Sequence, residues 1–274
     1  MKYFLLLASI IMASPLGNAQ SIKATKYGSG NTLLLLPGFA SSHHVFDHII
    51  DTYKKDYEVI AIDYAGFAGL NPVSFPWLPK IQDDLKILVE NQRKPVTIIG
   101  HSMGGTIALW LAAQPDLAID KTIIIDALPA TGALMFPDYQ PENIIYDNPY
   151  NQQQLALDKL KFDNLAQMMA SNMARDSVSQ ILINNGITAS DRKTYVYGYT
   201  DYLKLDVRPL LSQIKAPVHI LAAGRPYGKK QVVATIKKKY AFLGNYSLKI
   251  HPDSKHFIMY DEPVWLKKQL DKWL

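Results

Sequence analysis

Short apolar runs alternate with longer stretches of helical periodicity along the first half of the chain. Apolar runs of strand length occupy residues 32–36, 57–62, 96–99 and 118–125. Between them, residues 45–53 and 78–92 predict helices, the latter from apolar side chains at intervals of three or four. Strands that are apolar on both faces are typical of a parallel sheet with helices on both sides. The pattern therefore predicts an α/β fold with a mostly parallel central sheet.

This alternation stops near residue 130 and resumes near residue 207. Between these points there is no clear apolar strand, and the pattern predicts helices at residues 152–173, 175–184 and 191–203. An ordinary connection between a strand and a helix is far shorter. The pattern therefore predicts a core of residues 20–129 and 207–274, with a helical cap at 130–206 over the carboxyl edge of the sheet. In the second part of the core, strands are predicted at 217–222 and 246–250 and helices at 230–242 and 263–274.

Residues 1–19 have the features of a secretory signal peptide. Lys2 gives a short positive start, residues 3–13 form an apolar run too short to cross a bilayer comfortably, and Pro15 ends it. Gly17 and Ala19 are the small residues that precede a cleavage point after Ala19. This predicts an exported protein, periplasmic or secreted by a bacterium, without stable membrane association after cleavage; an uncleaved anchor is the alternative. The chain has no cysteine, so core packing alone holds the mature domain together.

The charge of the chain does not indicate a macromolecular partner. The net charge is +5, but the lysines are scattered, and the densest cluster, at residues 237–239, fits a solvated helix face. A nucleic-acid-binding surface would combine a basic stripe with interleaved aromatic residues, and the sequence contains no such stripe. We therefore expect a small-molecule substrate and no nucleic-acid partner.

The stretch from Gly100 to Gly105 carries the clearest chemical motif. Its sequence, G-H-S-M-G-G, places Ser102 between the predicted strand at 96–99 and an apolar stretch at 106–113 that predicts a buried helix. In such a strand–turn–helix the serine lies at the tip of a strained turn, and its neighbours are small because strand and helix pass close together. The motif predicts a nucleophilic serine. The structural alternative is an ordinary glycine-rich turn between a strand and a helix, in which the serine has no catalytic role.

Taken in chain order, these features resemble the α/β-hydrolase fold family. The resemblance covers the whole mature chain: Pro37-Gly38-Phe39 after an early strand, the motif around Ser102, a cap, and His256-Phe257 before the last helix. The chain looks most like the capped single-domain group that includes carboxylesterases, cofactor-free haloperoxidases, proline iminopeptidases and C–C bond hydrolases. The resemblance implies a nucleophile, an acid and a histidine in that chain order.

The resemblance also assigns roles to individual positions. Ser102 matches the nucleophile, and His256 matches the general base that takes the serine proton during attack. By the family pattern, the backbone amides of Phe39 and Met103 would hold the oxyanion of an acyl intermediate. The implied chemistry is hydrolysis of a carboxylic ester without a cofactor. No group of histidine and carboxylate residues has the spacing of a metal site.

The acid is the point at which this sequence departs from the family pattern. Its commonest place is the turn after the strand at 217–222, and residues 223–228 contain no carboxylate. Asp126 ends the strand at 118–125, a position that some members of the fold use, and pairing with His256 would offset the cost of burying it. Asp253 is a second candidate, although it stands close to His256 in sequence. The third alternative is that no acid takes part, so that Ser102 and His256 act as a dyad or the site is inactive.

Two hypotheses about function follow from this pattern. The first is an exported serine hydrolase, a carboxylesterase that works through Ser102, His256 and Asp126. The alternative is a non-catalytic binding or sensor protein that uses the same pocket, which the missing carboxylate at the usual turn suggests. Within the fold, cofactor-free haloperoxidase chemistry needs no additional residue, so the sequence is compatible with that enzyme class too.

Several side chains have a structural interpretation beside a functional one. In the cap, methionines and tyrosines are candidates for the wall of a binding cleft or for simple core packing: Met168, Met169, Met173, Tyr195, Tyr197, Tyr199 and Tyr202. His43 and His44 would lie at the mouth of the pocket or in an exposed loop. In relatives, the aspartate that corresponds to Asp63 serves the structure of its loop, so we expect no chemistry from it.

Overall fold

The computed structural model describes residues 20–136 and 138–274. The predicted signal peptide at residues 1–19 lies outside the described residues, so the expectation of export stays a prediction. Within the described ranges, no helix has both the length and the hydropathy that a membrane crossing requires.

Seven strands form one sheet, and all neighbouring pairs except one are parallel, which confirms the predicted fold class. The strands are β1 (Ile22–Gly28), β2 (Asn31–Leu36), β3 (Tyr57–Tyr64), β4 (Val96–His101), β5 (Ile119–Ile125), β6 (Val218–Ala223) and β7 (Tyr246–His251). Their order across the sheet is β1-β3-β2-β4-β5-β6-β7, and β1 is antiparallel to β3. Strand β4 is therefore central, and every one of its residues is buried. This explains why its sequence is apolar on both faces.

Eleven α-helices accompany the sheet in the described part of the chain. They are α1 (Asp47–Tyr53), α2 (Trp77–Glu90), α3 (Met103–Ala112), α4 (Gly132–Met135), α5 (Pro149–Ala156), α6 (Lys159–Met173), α7 (Ser177–Thr188), α8 (Tyr199–Lys204), α9 (Gly228–Lys239), α10 (Ile258–Asp261) and α11 (Pro263–Leu270). Helix α3 follows β4 directly and is buried along nearly all of its length, because its sequence is apolar or small on every face.

Helices α4 to α8 lie between β5 and β6 in sequence, within the stretch that the pattern singles out as an insertion. The single helix predicted at 152–173 is wrong in one respect, because the structure divides it into α5 and α6. The division falls at Asp158, whose carboxylate accepts a hydrogen bond from the Lys161 amide at 2.8 Å and so caps a new helix. The helix predicted at 191–203 consists of a π-helical turn at Thr194–Gly198 followed by α8.

Buried polar contacts join these helices to the sheet core. The carboxylate of Asp201, in α8, accepts hydrogen bonds from the backbone amides of Trp77 at 2.6 Å and Leu78 at 3.3 Å. Those amides begin α2 and have no partner within their own helix, so the carboxylate satisfies them and also favours the positive end of the helix dipole. At the other side, the Phe257 amide donates to the Met173 carbonyl, at the end of α6, at 3.0 Å. These contacts tie α8 to the start of α2 and the end of α6 to the segment that follows His256.

Candidate active site

Ser102 occupies the turn between β4 and α3 in a strained backbone conformation. Its φ is 53° and its ψ is −123°, values that a residue with a side chain adopts only at a cost. The glycines around it are sterically required. A Cβ on Gly104 would lie 2.1 Å from the Leu36 carbonyl oxygen, and one on Gly100 would lie 2.3 Å from the Gly104 carbonyl oxygen. The turn therefore has the tight geometry that lifts a serine hydroxyl above the end of a sheet.

The structure places the imidazole of His256 against the carboxylate of Asp126. His256 Nδ1 lies 2.6 Å from Asp126 Oδ2, and both residues are partly buried. Because a carboxylate accepts, Nδ1 carries the proton, and Nε2 is then the nitrogen that can accept one. The two residues are 130 positions apart in sequence, and the fold brings them together at the carboxyl edge of the sheet.

Strand β6 holds Asp126 in position. The Ala223 amide donates to Asp126 Oδ1 at 2.9 Å, and the Asp126 amide donates to the Leu221 carbonyl at 2.7 Å. Asp126 also has a positive φ of 45°, which turns the chain sharply at the end of β5. Sequence reasoning missed the Ala223 amide, because a backbone donor leaves no trace in the identity of its residue.

Asp253, the other candidate acid, lies elsewhere. Its Oδ1 accepts from the Arg225 guanidinium at 3.1 Å, and both side chains are exposed. The turn after β6 thus contributes Arg225 to an exposed ion pair with the loop after β7, and it supplies no carboxylate to His256. Of the two candidate acids, the structure brings only Asp126 to His256.

His101 supports the loop that carries His256. Its Nε2 lies 3.1 Å from the backbone carbonyl of His256, and because a carbonyl only accepts, Nε2 is the donor. Complete burial, with a smaller contribution from His256, lowers the pKa of His101 well below its ordinary value, so this ring is neutral. Sequence reasoning placed His101 next to the nucleophile but did not anticipate this contact.

The two amides expected to bind an oxyanion lie on segments that meet at Ser102. Met103 is the first residue of α3, so its amide belongs to the positive end of the helix dipole. The Phe39 amide follows Gly38, where a Cβ would lie 2.9 Å from His101 Nδ1 and 3.2 Å from Ser102 Cβ. Only glycine allows this approach. In residues 20–136 and 138–274, neither amide donates a hydrogen bond to another group.

Ser102, His256 and Asp126 line one cavity of about 690 Å³ between the sheet and the overlying helices. Most of its wall is apolar. Among the methionines and tyrosines of residues 130–206, those that line it are Met169, Met173, Tyr150, Tyr195, Tyr199, Tyr202 and Met135. Burial raises the pKa of Tyr195 to about 12 and raises the pKa values of Tyr199 and Tyr202 as well, so their hydroxyls stay neutral.

Two of the expected pocket residues do not line this cavity. Met168 is 57% exposed on the outer face of α6. Tyr197 packs against Phe75, with 5.3 Å between ring centroids, and against Tyr146 at 5.0 Å. In both cases helical periodicity turns the side chain away from the side that faces the sheet.

His43 forms a second histidine–carboxylate pair, outside the cavity. Its Nδ1 lies 2.7 Å from Asp63 Oδ2, its amide donates to Asp63 Oδ1 at 2.8 Å, and its Nε2 lies 3.2 Å from the Tyr27 hydroxyl. His43 is therefore buried, and neither the pocket mouth nor an exposed loop describes it. His44 is exposed beside Asp47 and does not line the cavity either. Asp63 belongs to β3 rather than to the following turn.

Ser102, His256, Asp126 and Phe39 line the cavity, and the Met103 amide directly follows Ser102 at the start of α3. A hydroxyl beside an imidazole supplies a nucleophile with its base, and two amides supply donors for a developing oxyanion. The arrangement can therefore support acyl transfer. The described residues contain no group of three or more histidine, cysteine or acidic side chains arranged to hold a metal ion.

Comparison with known proteins shows the family. The model of the alpha/beta hydrolase family matches residues 33–268. A serine hydrolase-like protein of Danio rerio is 24% identical over 219 residues, which cover 71% of this chain and 65% of that protein. A pimeloyl-[acyl-carrier protein] methyl ester esterase of Legionella pneumophila is 30% identical over 109 residues, which cover 40% of this chain and 43% of that protein. The matched regions span less than two thirds of these relatives' own length.

Solved structures share the whole fold. An esterase from Exiguobacterium antarcticum superimposes with a TM-score of 0.74 at 16% identity, covering 94% of this chain and 99% of that one. MenH from S. aureus superimposes with a TM-score of 0.72 at 19% identity, covering 93% of this chain and 97% of that one. At these identities the likeness shows the fold alone.

Proposed function

This chain belongs to the alpha/beta hydrolase family, and from that premise we propose that it is an exported serine hydrolase that cleaves carboxylic esters. The observation that carries the proposal is the 2.6 Å hydrogen bond between His256 and Asp126 in the wall of the cavity that Ser102 also lines. The strained conformation of Ser102 supports it, because strain of this kind is maintained where the position of a side chain matters.

In the first half of the proposed reaction, Ser102 Oγ attacks the ester carbonyl carbon while His256 Nε2 takes the hydroxyl proton. Negative charge develops on the carbonyl oxygen, where the Phe39 and Met103 amides would donate to it. The bond between the carbonyl carbon and the alcohol oxygen then breaks. The alcohol leaves with the proton from His256, and the acyl group remains as an ester of Ser102.

In the second half, water attacks the acyl-enzyme and His256 takes the water proton. The bond to Ser102 Oγ breaks, the serine regains its proton, and the free acid departs. Asp126 keeps the imidazole in the tautomer with a proton on Nδ1 and stabilises the imidazolium that forms twice in each cycle. This chemistry requires no cofactor.

The contact between Ser102 and His256 is expected to tighten when substrate binds. Within the described residues, no hydrogen bond joins the Ser102 hydroxyl to His256. Such contacts are commonly long in substrate-free enzymes and shorten in the complex with substrate. The apolar wall of the cavity favours a small to medium ester over a charged or highly polar one. A pimeloyl-[acyl-carrier protein] methyl ester esterase among the relatives supports the same choice of bond.

Export rests on residues 1–19 alone. The proposed cleavage after Ala19 leaves a mature chain that begins at Gln20, immediately before β1. Expression of the full chain in a bacterial host followed by N-terminal sequencing tests this step. A periplasmic product that begins at Gln20 would support export, whereas a cytoplasmic product that retains Met1 would contradict it.

Hydrolysis is tested on the purified mature protein with p-nitrophenyl acetate and butyrate. We expect turnover that Ser102→Ala reduces to the level of the uncatalysed reaction. If the wild-type protein and Ser102→Ala were equally inactive while folded, the non-catalytic binding or sensor interpretation would be favoured instead. That interpretation was suggested by the absence of a carboxylate from residues 223–228. The hydrogen bond between Asp126 and His256 supports the hydrolase proposal instead, because it supplies an acid from the end of β5.

A further inference from the structure

The cavity has two parts that differ in burial and in the elements that form them. The first, which we call the inner chamber, has six apolar lining residues: Ala40, Met169, Met173, Ile183, Ile187 and Phe257. The second, the outer mouth, is lined by Leu134, Met135, Tyr150 and Tyr227. Of the inner residues, Ala40, Ile183, Ile187 and Phe257 are at most 6% exposed, whereas all four mouth residues are at least 52% exposed. The cavity is therefore closed at one end and open at the other.

The inner chamber is enclosed by segments that flank Ser102. Helix α7 packs directly against the loop after β2. The approach is close at Gly186, where a Cβ would lie 2.8 Å from the Ala40 carbonyl oxygen. The end of α6 adjoins the loop of His256 through the hydrogen bond from the Phe257 amide to the Met173 carbonyl. Tyr195 joins the two sides, since its hydroxyl donates to Met169 Sδ at 3.2 Å and its ring lies 5.6 Å from that of Phe39. These contacts make the chamber a formed, apolar space beside the nucleophile.

We propose that the inner chamber binds the acyl part of the ester and that the alcohol part leaves through the outer mouth, which makes the substrates esters of medium-length or aromatic apolar acids. The inference rests on the proposed function and adds to it the orientation of the ester in the cavity. Its basis is the order of the two chemical steps. The alcohol must depart and water must enter while the acyl group is still covalently attached to Ser102.

The opposite orientation conflicts with that order. An acyl chain directed to the outer mouth would stand between Ser102 and solvent, while the released alcohol would remain in the closed chamber. With the acyl chain in the inner chamber, the alcohol departs through the open side and the same route admits water. The apolar wall of the chamber also gives binding energy to each methylene of the acid, and this energy is retained in the transition state.

The expected signature is a dependence of kcat/KM on acyl length. Each methylene buried in the chamber should raise kcat/KM about fourfold, so p-nitrophenyl hexanoate should exceed the acetate on the order of a hundredfold. Acetate esters of ethanol, butanol and hexanol, measured by acid release, should show a much weaker dependence on the length of the alcohol.

Two adjacent methionines of α6 provide a matched pair of variants. Met169 lines the chamber, whereas Met168 is exposed to solvent and does not line the cavity. Met169→Trp should fill part of the chamber and lower the hexanoate-to-acetate ratio of kcat/KM about tenfold. Met168→Trp introduces the same side chain outside the cavity and should keep the wild-type ratio.

A second chamber variant tests the inference independently, in case Met169→Trp does not fold. Ile183→Ala enlarges the chamber and should raise the octanoate-to-hexanoate ratio, with folding of each variant checked by thermal melting and circular dichroism. The inference is overturned if both chamber variants keep the wild-type acyl profile, or if they alter the alcohol profile instead. A wild-type protein without Ser102-dependent hydrolysis of any ester would overturn the proposed function as well, and that result is distinct from an altered or unaltered profile.

Discussion

The two histidine–aspartate pairs of this molecule share their geometry and differ in their surroundings. His43 Nδ1 lies 2.7 Å from Asp63, and His256 Nδ1 lies 2.6 Å from Asp126. The side chains of the first pair are 7% and 5% exposed, whereas those of the second pair are 29% and 24% exposed. The same hydrogen bond therefore occurs once in a sealed core and once in the wall of an open cavity.

The other ring nitrogen distinguishes the two pairs. Nε2 of His43 already has the Tyr27 hydroxyl as a partner at 3.2 Å. Nε2 of His256 has no protein partner in the described part of the chain, and Ser102 lines the same cavity. A histidine oriented by a carboxylate is thus not sufficient for general-base chemistry, because the second nitrogen must also face a nucleophile and substrate. The His43–Asp63 pair instead ties the segment after β2 to β3.

Removal of each imidazole gives the largest expected contrast. His256→Ala should lower kcat for p-nitrophenyl butyrate by about 10⁶-fold, because the serine loses its base. His43→Ala should instead lower the free energy of unfolding, by about 3 kcal/mol, because the buried Asp63 carboxylate loses the imidazole and keeps only the backbone amide of residue 43. Steady-state kinetics and urea unfolding on both variants measure the two effects. A folded His256→Ala protein with near-wild-type kcat would remove His256 from the mechanism.

Replacement of the catalytic candidate acid should have a smaller kinetic effect. Asp126→Asn keeps the size of the side chain but favours the wrong imidazole tautomer, and kcat should fall by about 10⁴-fold. Asp253→Asn is the matched control, since that carboxylate lies in an exposed pair with Arg225 and kcat should stay near the wild-type value. The assignment fails if the two variants exchange these results.

At the sealed pair, the corresponding substitution tests stability. Asp63→Asn retains part of the hydrogen bonding to His43 and should lower the free energy of unfolding by about 2 kcal/mol. Because this pair lies outside the cavity, kcat should change far less than in Asp126→Asn. Urea denaturation gives the stability, and the esterase assay gives kcat. A kinetic loss as large as that of Asp126→Asn would show that the two pairs are not separate in function.

The smallest expected effect concerns the pH dependence of stability. Burial lowers the pKa of His101 in the folded protein, so below about pH 6.5 the unfolded chain binds a proton that the folded chain does not. This contribution to stability is fully present above pH 6.5 and is lost as the pH falls, by up to about 1.4 kcal/mol per pH unit. His101→Gln removes the titrating ring, and its unfolding free energy should fall less steeply between pH 6.5 and 5. Parallel slopes for both proteins would contradict the neutral, buried His101.

The comparison of the pairs also shows what the sequence could predict. The apolar strands around β4 and the glycines near Ser102 have a local signal, because burial on both faces and a tight turn restrict residue type. Asp126 was a candidate because it follows a run of buried isoleucines at the end of β5. Its contact with His256 could only be inferred from the resemblance, since it depends on elements far apart in the chain.

Features that depend on long-range packing were not predicted. His43 and Asp63 are 20 positions apart and meet only because β2 and β3 are neighbours in the sheet. The antiparallel pairing of β1 with β3, the Ala223 amide on Asp126, and the outward orientation of Met168 likewise require the assembled structure. In each case the residue types permit several partners, and the topology selects one.

Covalent labelling tests the central proposal most directly. The folded mature protein is treated with a fluorophosphonate, and the adduct is located by intact mass and peptide mapping. We predict one phosphonyl group per chain, attached to Ser102, with no adduct on Ser102→Ala. Labelling of His256→Ala should be strongly slowed, whereas folded His43→Ala should be labelled as the wild type is. A folded wild-type protein that stays unlabelled, or an adduct on a different serine, would contradict the assignment of Ser102 as the nucleophile.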